Sequence, residues 1–297
     1  MMTQSNTANG YTLITGASGF VGSALAKLLA PQRPIVCLSR QIVDFSVPSV
    51  AGEFHSLEDL SQLDAYEITS VVHLAAVTGG CSEEDGLAVN VLGTRRLIRY
   101  LLDRGCRKFV LASSIAAVGS LQSDFIPLQL PMPDEHPCLA RDAYGLSKWM
   151  MEELTRYFAR LTPNAEFTNL RLGAVVDDAQ WTPPRTTVGA PLSIPFVQMG
   201  HVLLSDVLGA IQAVLQTPLR PGAHVYNVVA PDAASEDAVI DVLRAQFSAR
   251  LDALDLSWYE QSGHEHGPLY AMDKIRNELG FVPQQSTRPY RKGILNP

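Results

Sequence analysis

Thr15-Gly16-Ala17-Ser18-Gly19-Phe20-Val21-Gly22 constrains the fold more than any other stretch of this chain. It follows a short apolar run, Tyr11-Thr12-Leu13-Ile14, and opens into Ser23-Ala24-Leu25-Ala26-Lys27-Leu28-Leu29, which reads as a helix. A strand that turns through glycines into a helix is a phosphate cradle. The glycines let the backbone turn tightly and come close to a pyrophosphate, and the helix N-terminus turns unpaired N–H groups toward its charge. Glycines also serve ordinary turns. The strand before them and the helix after them are what point to a dinucleotide.

The rest of the first half alternates in the same way. Short apolar or β-branched runs predict strands at 11–15, 35–39, 70–75, 108–113 and 167–172. Helices are expected at 22–29, 88–104 and 144–160. Such alternation predicts an α/β fold, a Rossmann-type doubly wound parallel sheet. Beyond it, helices are expected at 206–215 and 236–246 and a strand at 224–229. No second glycine loop occurs there, so this part reads as a small C-terminal substrate lobe. The expected division is a polar, frayed tail at 1–10, a nucleotide-binding domain at 11–175, and a lobe at 176–297 with some return of the chain to the core. Proline-rich loops at 126–137 and 181–195 follow predicted strand ends, the edge where open α/β sheets bind ligands.

Bulk properties narrow the partners. The 297 residues, 46% of them apolar, suffice for a large core, and the net charge of −7 argues against nucleic acid. Cys37, Cys81, Cys106 and Cys138 show no C-x-x-C spacing, which suits reduced thiols and no metal. No stretch reads as a membrane span or a signal peptide, so a cytoplasmic location is expected.

Two further signals carry chemistry. Tyr144 and Lys148 are four apart and would share a helix face. A lysine ammonium beside a phenol favours phenolate, which suits a general acid–base. The same spacing also arises from two surface residues. Ser113-Ser114 ends the strand Phe109-Val110-Leu111-Ala112, where a hydroxyl could orient a substrate oxygen or simply cap a turn.

Together these residues resemble the extended short-chain dehydrogenase/reductases, the NAD(P)-dependent epimerase/dehydratase-like family. Thr15 to Gly22 is similar to its T-G-x-x-G-F-x-G loop. His73-Leu74-Ala75-Ala76 resembles its motif after the fourth strand, and Asn90-Val91-Leu92-Gly93-Thr94 its N-V-x-G-T helix start. Ser113-Ser114-Ile115-Ala116-Ala117-Val118-Gly119 resembles its serine strand. Asp134-Glu135-His136-Pro137 falls at its acidic-then-proline loop, Arg171-Leu172-Gly173-Ala174-Val175 at the strand passing the nicotinamide, and residues 272–283 at its closing segment.

The resemblance implies roles. Tyr144 is the general acid–base, Lys148 lowers its pKa and binds the nicotinamide ribose, and Ser114 orients the substrate oxygen. NADP, or else NAD, would be held by Gly16, Ser18, Gly19, Phe20, Val21 and Gly22 of the loop, and by Ser39 and Arg40 after the second strand. Ser56 and Leu57 after the third strand and Leu74, Ala75 and Ala76 after the fourth would join them. Ser113, Tyr144, Lys148, Leu172 and Gly173 complete the set.

The departures bear on the reaction. Ile115 and Ala116 follow Ser114 where family dehydratases carry an Asp-Glu pair, which disfavours elimination. Ser56-Leu57 stands where an aspartate usually meets adenine. Val176-Asp177-Asp178 replaces a usual tyrosine-glycine-proline, and Arg185 is the lone basic residue of its loop. Arg40 occupies the register where NAD-binding members keep an acid, and an arginine there can pair with a 2′-phosphate. The expectation is therefore an NADPH-dependent carbonyl reductase acting on a keto-sugar or nucleotide-sugar. The alternatives are a redox-neutral nucleotide-sugar epimerase with tightly bound NAD, and a non-catalytic NADP(H) sensor or scaffold. A homodimer through the helices near 90–104 and 144–160 is expected, with no nucleic acid and no membrane. His73 reads as a hydrogen-bonded core residue, His264 and His266 as a polar loop, and Arg95, Arg96, Arg99 and Arg104 as the solvated side of a helix.

Overall fold

The computed structural model describes residues 10–42 and 46–288. The expected N-terminal tail lies outside them, Gly10 excepted. The chain forms two compact units that interleave along the sequence. One unit takes the chain up to Ser113 together with Ser147–Asn169 and Val214–His224. The other takes Ser114–Leu146, Leu170–Ala213 and the chain from Val225 onward.

The elements of the first unit begin with β1 (Tyr11–Thr15), α1 (Phe20–Leu29), β2 (Ile35–Ser39), β3 (Ser49–Ala51), α2 (Leu57–Ser61) and β4 (Ile68–His73). A short helix α3 (Glu83–Asp85) leads through a π-helical segment, Gly86–Gly93, into α4 (Thr94–Asp103) and then β5 (Lys108–Ser114). Helix α5 (Ala143–Leu161), β6 (Glu166–Leu172) and β9 (Gly222–Val228) each have residues in both units. The sheet order is β3-β2-β1-β4-β5-β6-β9, and the β1–β2, β2–β3, β1–β4 and β4–β5 pairs are parallel. The order turns back on itself between β1 and β4, which puts a ligand crevice at the carboxyl ends of those two strands.

Strands buried on both faces need continuous apolar sequence, and β2 has every residue buried. Leu13, Val36, Val71 and Phe109 from the strands meet Leu97, Ile98, Leu101 and Phe158 from the helices in one cluster. Phe109 stacks on Phe167 at 4.9 Å.

In the second unit, β7 (Ala174–Val176) pairs in parallel with β8 (His201–Leu203) as a separate two-stranded sheet. The same unit holds α6 (Pro195–Gln198), α8 (Val239–Gln246) and α9 (Asp273–Leu279), and α7 (Leu204–Gln216) has residues in both units. The loop 126–137 carries no regular element beyond an isolated bridge from Met132 to Tyr270. Buried Arg171 donates to the Asp134 carbonyl at 3.0 Å, and the Asn227 N–H donates to the Asp134 carboxylate. Among the described residues no helix is long and apolar enough to cross a membrane.

Two elements differ from expectation for visible reasons. The predicted strand at 70–75 stops at His73: the Leu74 N–H is shared between the Thr15 carbonyl, at 3.3 Å, and the Thr15 hydroxyl, at 3.2 Å, and the Ala75 N–H turns to that hydroxyl at 3.3 Å. The predicted helix at 88–104 opens with the wider π turns of Gly86–Gly93, and Asn90 within them is buried against the loop after β4. Widened turns of this kind concentrate at functional sites.

Candidate active site

The first unit holds a cavity of about 450 Å³ lined by the glycine loop, the end of β2, the segment after β3 and the segment after β4. Its floor requires glycine at two positions. Gly16 has φ +72°, the left-handed region that side chains disfavour, and a Cβ there would lie 2.8 Å from the Ala75 nitrogen. A Cβ on Gly22 would lie 2.1 Å from the Gly16 oxygen. The N-terminus of α1 has no side-chain cap and no acid in its first turn. Its N–H groups therefore remain available to an anion. This is the fit expected for the pyrophosphate of a dinucleotide.

Ser18, Gly19, Phe20, Val21, Ser39 and Arg40 line this cavity, as do Leu74, Ala75 and Ala76. The Ser39 hydroxyl donates to the Gln41 carbonyl at 2.6 Å, so it has no hydrogen to give a bound phosphate unless that bond opens. Ser56 and Leu57 stand apart from the lining. Ser56 caps α2 by accepting the Asp59 N–H at 3.2 Å, and Leu57 is exposed. Glu53, Phe54 and His55 take the wall after β3 instead, with His55 and Glu53 paired at 3.0 Å. Nothing in the local pattern marks them, because a three-residue strand is too short to fix its register.

The wall after β4 is held by buried polar side chains. The Thr15 hydroxyl lies 2.7 Å from His73 Nδ1, and His73 Nε2 lies 2.9 Å from the Thr94 hydroxyl. Burial pushes His73 down to about 3, so the ring is neutral. Thr15 Oγ1 already accepts two backbone N–H groups, so its own hydrogen goes to Nδ1 and the His73 ring carries its proton on Nε2. Asn90 grips the same wall, accepting the Val77 N–H at 2.9 Å and donating to the Val77 carbonyl at 3.0 Å and to Ser147 at 2.9 Å. Arg96, expected to be solvated, donates to the His55 carbonyl at 3.1 Å.

Helix α5 starts where the Asp142 carboxylate accepts the Gly145 N–H at 2.7 Å. A Cβ on Gly145 would lie 2.5 Å from the Ala116 oxygen, so this turn packs directly on the 3-10 turn that follows Ser114. The second unit thereby brings Tyr144 to the turn headed by Ser114. Ser114 Oγ accepts the Ala116 N–H at 3.1 Å and keeps its own hydrogen to donate. Lys148 follows one helical turn after Tyr144, in the first unit. It is 4% exposed, its Nζ donates to the Ala112 carbonyl at 2.7 Å, and burial lowers its pKa to about 8. Ser113 is buried beneath this helix rather than in the cavity, bonded to Glu152 at 2.6 Å. Leu172 and Gly173 lie in the second unit, where the Gly173 N–H donates to the Val228 carbonyl at 2.9 Å.

His264 stacks on Trp258 at 4.0 Å, and no group of metal-binding side chains occurs among the described residues.

A doubly wound sheet with a glycine cradle at its switch point, and a tyrosine and lysine one turn apart on a following helix, defines a nucleotide-dependent α/β protein of the short-chain dehydrogenase/reductase kind. Residues 12–177 match the NAD dependent epimerase/dehydratase family, and the chain belongs to it. A putative UDP-glucose 4-epimerase of Methanocaldococcus jannaschii is 27% identical over 96% of this chain and 97% of its own. UDP-glucose 4-epimerase 2 of Oryza sativa is 31% identical over 54% of this chain, a match spanning 43% of the rice protein. The dTDP-4-dehydro-6-deoxyglucose reductase of Escherichia coli is 24% identical over 68% of this chain and 66% of its own. In fold, the chain is similar to a short-chain dehydrogenase/reductase superfamily protein of Agrobacterium tumefaciens with bound NAD. That likeness has a TM-score of 0.67 at 23% identity and covers 93% of each chain.

Proposed function

We propose that this protein is an NADP(H)-dependent carbonyl reductase acting on a keto-sugar or a nucleotide-linked keto-sugar. The observation that carries the choice of reaction is Arg40. It lines the cradle at the end of β2, where a carboxylate would repel a 2′-phosphate and a guanidinium can pair with one. An enzyme that binds NADPH this way is suited to net reduction and to release of the oxidised cofactor. When bound, the cofactor supplies the hydride that reduces the carbonyl carbon.

The chain's own residues do the rest. Gly16 and Gly22 admit the pyrophosphate, and the open N–H groups of α1 bind its charge. The Lys148 ammonium holds the nicotinamide ribose and stabilises phenolate on Tyr144. The Ser114 hydroxyl donates to the substrate oxygen, and Tyr144 delivers its phenolic proton to that oxygen as charge develops there. Ile115 and Ala116 offer no acid–base group for elimination.

A second reading, a redox-neutral epimerase with resident NAD, is supported by the near full-length likeness to the Methanocaldococcus protein. Purified protein incubated with NADPH and a panel of keto-sugars separates the two. Stoichiometric loss of NADPH supports reduction. A nucleotide that survives purification, with epimerisation and no net NADPH loss, supports the alternative. The assembly we propose is a homodimer, for which exposed Tyr157 and Leu161 on α5 and Leu92 before α4 supply apolar surface.

A further inference from the structure

Tyr144, Lys148 and Glu152 follow one another at four-residue spacing on α5 and so share one face of it. The first two have roles in the proposed reaction. Glu152 has none, yet it is fully buried. A carboxylate is kept out of water only where bonds and opposite charge compensate. Its Oε1 accepts the Ser113 hydroxyl at 2.6 Å. Lys148, one turn earlier, donates to the carbonyl of Ala112 at 2.7 Å. The two side chains thus grip consecutive residues of β5, and the next residue in the strand is Ser114.

We propose that Glu152 is a positioning residue for the Tyr144–Lys148 pair. Its buried carboxylate fixes the end of β5 through Ser113 and supplies the counter-charge that keeps Lys148 an ammonium. The catalytic consequence rests on the reductase reading; the electrostatic role does not.

The groups facing Lys148 make the carboxylate the main support of its charge. Burial pushes the lysine down, Glu152 opposes this most strongly, and Cys81, from the loop after β4, acts in the same direction more weakly. His73 on β4 also faces Lys148, but its ring is neutral and adds no charge. Tyr144, one turn before Lys148 on α5, is the proton donor of the proposed reaction. Removing the Glu152 charge must therefore lower the Lys148 pKa further, toward neutral pH.

The test is NMR titration of protein labelled with ¹³C at the lysine ε-carbons, with the Lys148 signal assigned through Lys148→Arg. In the parent protein Lys148 should titrate near 8. In Glu152→Gln, which keeps the shape and an acceptor for Ser113, the midpoint should fall by about one pH unit. In Ser113→Ala, which keeps the carboxylate, it should stay near the parent value. If Glu152→Gln does not fold, Glu152→Asp carries the test, with a smaller shift in the same direction. A midpoint unchanged in the Glu152 variants overturns the proposal, and so does an equal shift in Ser113→Ala, which would trace the effect to packing. The titration uses neither substrate nor cofactor. A shifted midpoint in a protein that binds no nicotinamide nucleotide therefore supports the role of Glu152 and counts against the reductase reading instead.

Discussion

Thr15 Oγ1 lies 2.7 Å from His73 Nδ1, and through it the last residue of β1 holds the last residue of β4 at the switch point of the sheet. The bond fixes the ring with its proton on Nε2, directed to Thr94, and the same hydroxyl accepts the Leu74 and Ala75 N–H groups that begin the cofactor wall. Thr15→Val keeps the shape but leaves His73 Nδ1 and the Ala75 N–H without their partner, while the Leu74 N–H retains the Thr15 carbonyl at 3.3 Å. A loss of about 2–4 kcal/mol in urea unfolding is expected, since buried groups lose their hydrogen bonds. A loss below about 0.5 kcal/mol would mean the clamp carries no weight.

The same histidine gives a pH signature. Its folded pKa is about 3 against an ordinary value of 6.5, so the unfolded chain binds the proton more readily. Above about pH 6.5 both states hold a neutral ring and His73 does not affect stability. As pH falls from 6.5 toward 3 the unfolded state gains protons first, and stability declines by a few kcal/mol. His73→Gln should flatten this part of the stability profile. A variant with an undiminished acid slope would assign the slope to other groups.

Gly22→Ala places a Cβ 2.1 Å from the Gly16 oxygen, against backbone that has no room to yield. The cradle must open, so NADPH affinity should fall at least about tenfold, equivalent to roughly 1.4 kcal/mol. Fluorescence titration of NADPH reads this directly. Unchanged affinity would show that the phosphate sits elsewhere.

Tyr144→Phe removes one hydroxyl at the start of α5. Positioned acid–base groups contribute about 10²–10⁴-fold, so kcat for NADPH-dependent reduction should fall by that factor while NADPH affinity changes little. Activity retained in this variant would remove Tyr144 from the chemistry and favour a sensor or scaffold.

Much of this was legible in the sequence, because the features concerned are local. β1 and β2 lie where apolar runs predict them, and the glycine loop is set by turn sterics within eight residues. Tyr144 and Lys148 needed only the helical repeat. What the sequence hid depends on contacts across the fold. Glu53 and His55 reach the cavity because β3, only three residues long, pairs with β2. Asn90 reads as part of a helix start, but its work is done at Val77 and Ser147, 13 and 57 residues away in sequence. Arg96 reads as a solvated charge on a basic helix and instead ties that helix to the carbonyl of His55. Ser56 kept its place after β3, but the chain uses its hydroxyl to cap α2.

In the proposed function Arg40 selects NADP(H) over NAD(H). Isothermal calorimetry of the parent protein and of Arg40→Asp, each with NADPH and with NADH, reads that selection. A guanidinium–phosphate pair contributes about 1.5–3 kcal/mol, so the parent should bind NADPH at least about tenfold more tightly than NADH, and Arg40→Asp should abolish or reverse that preference. Tighter binding of NADH by the parent protein, with the order unchanged in Arg40→Asp, would show that Arg40 holds no 2′-phosphate and would remove the basis for an NADP(H)-dependent reductase.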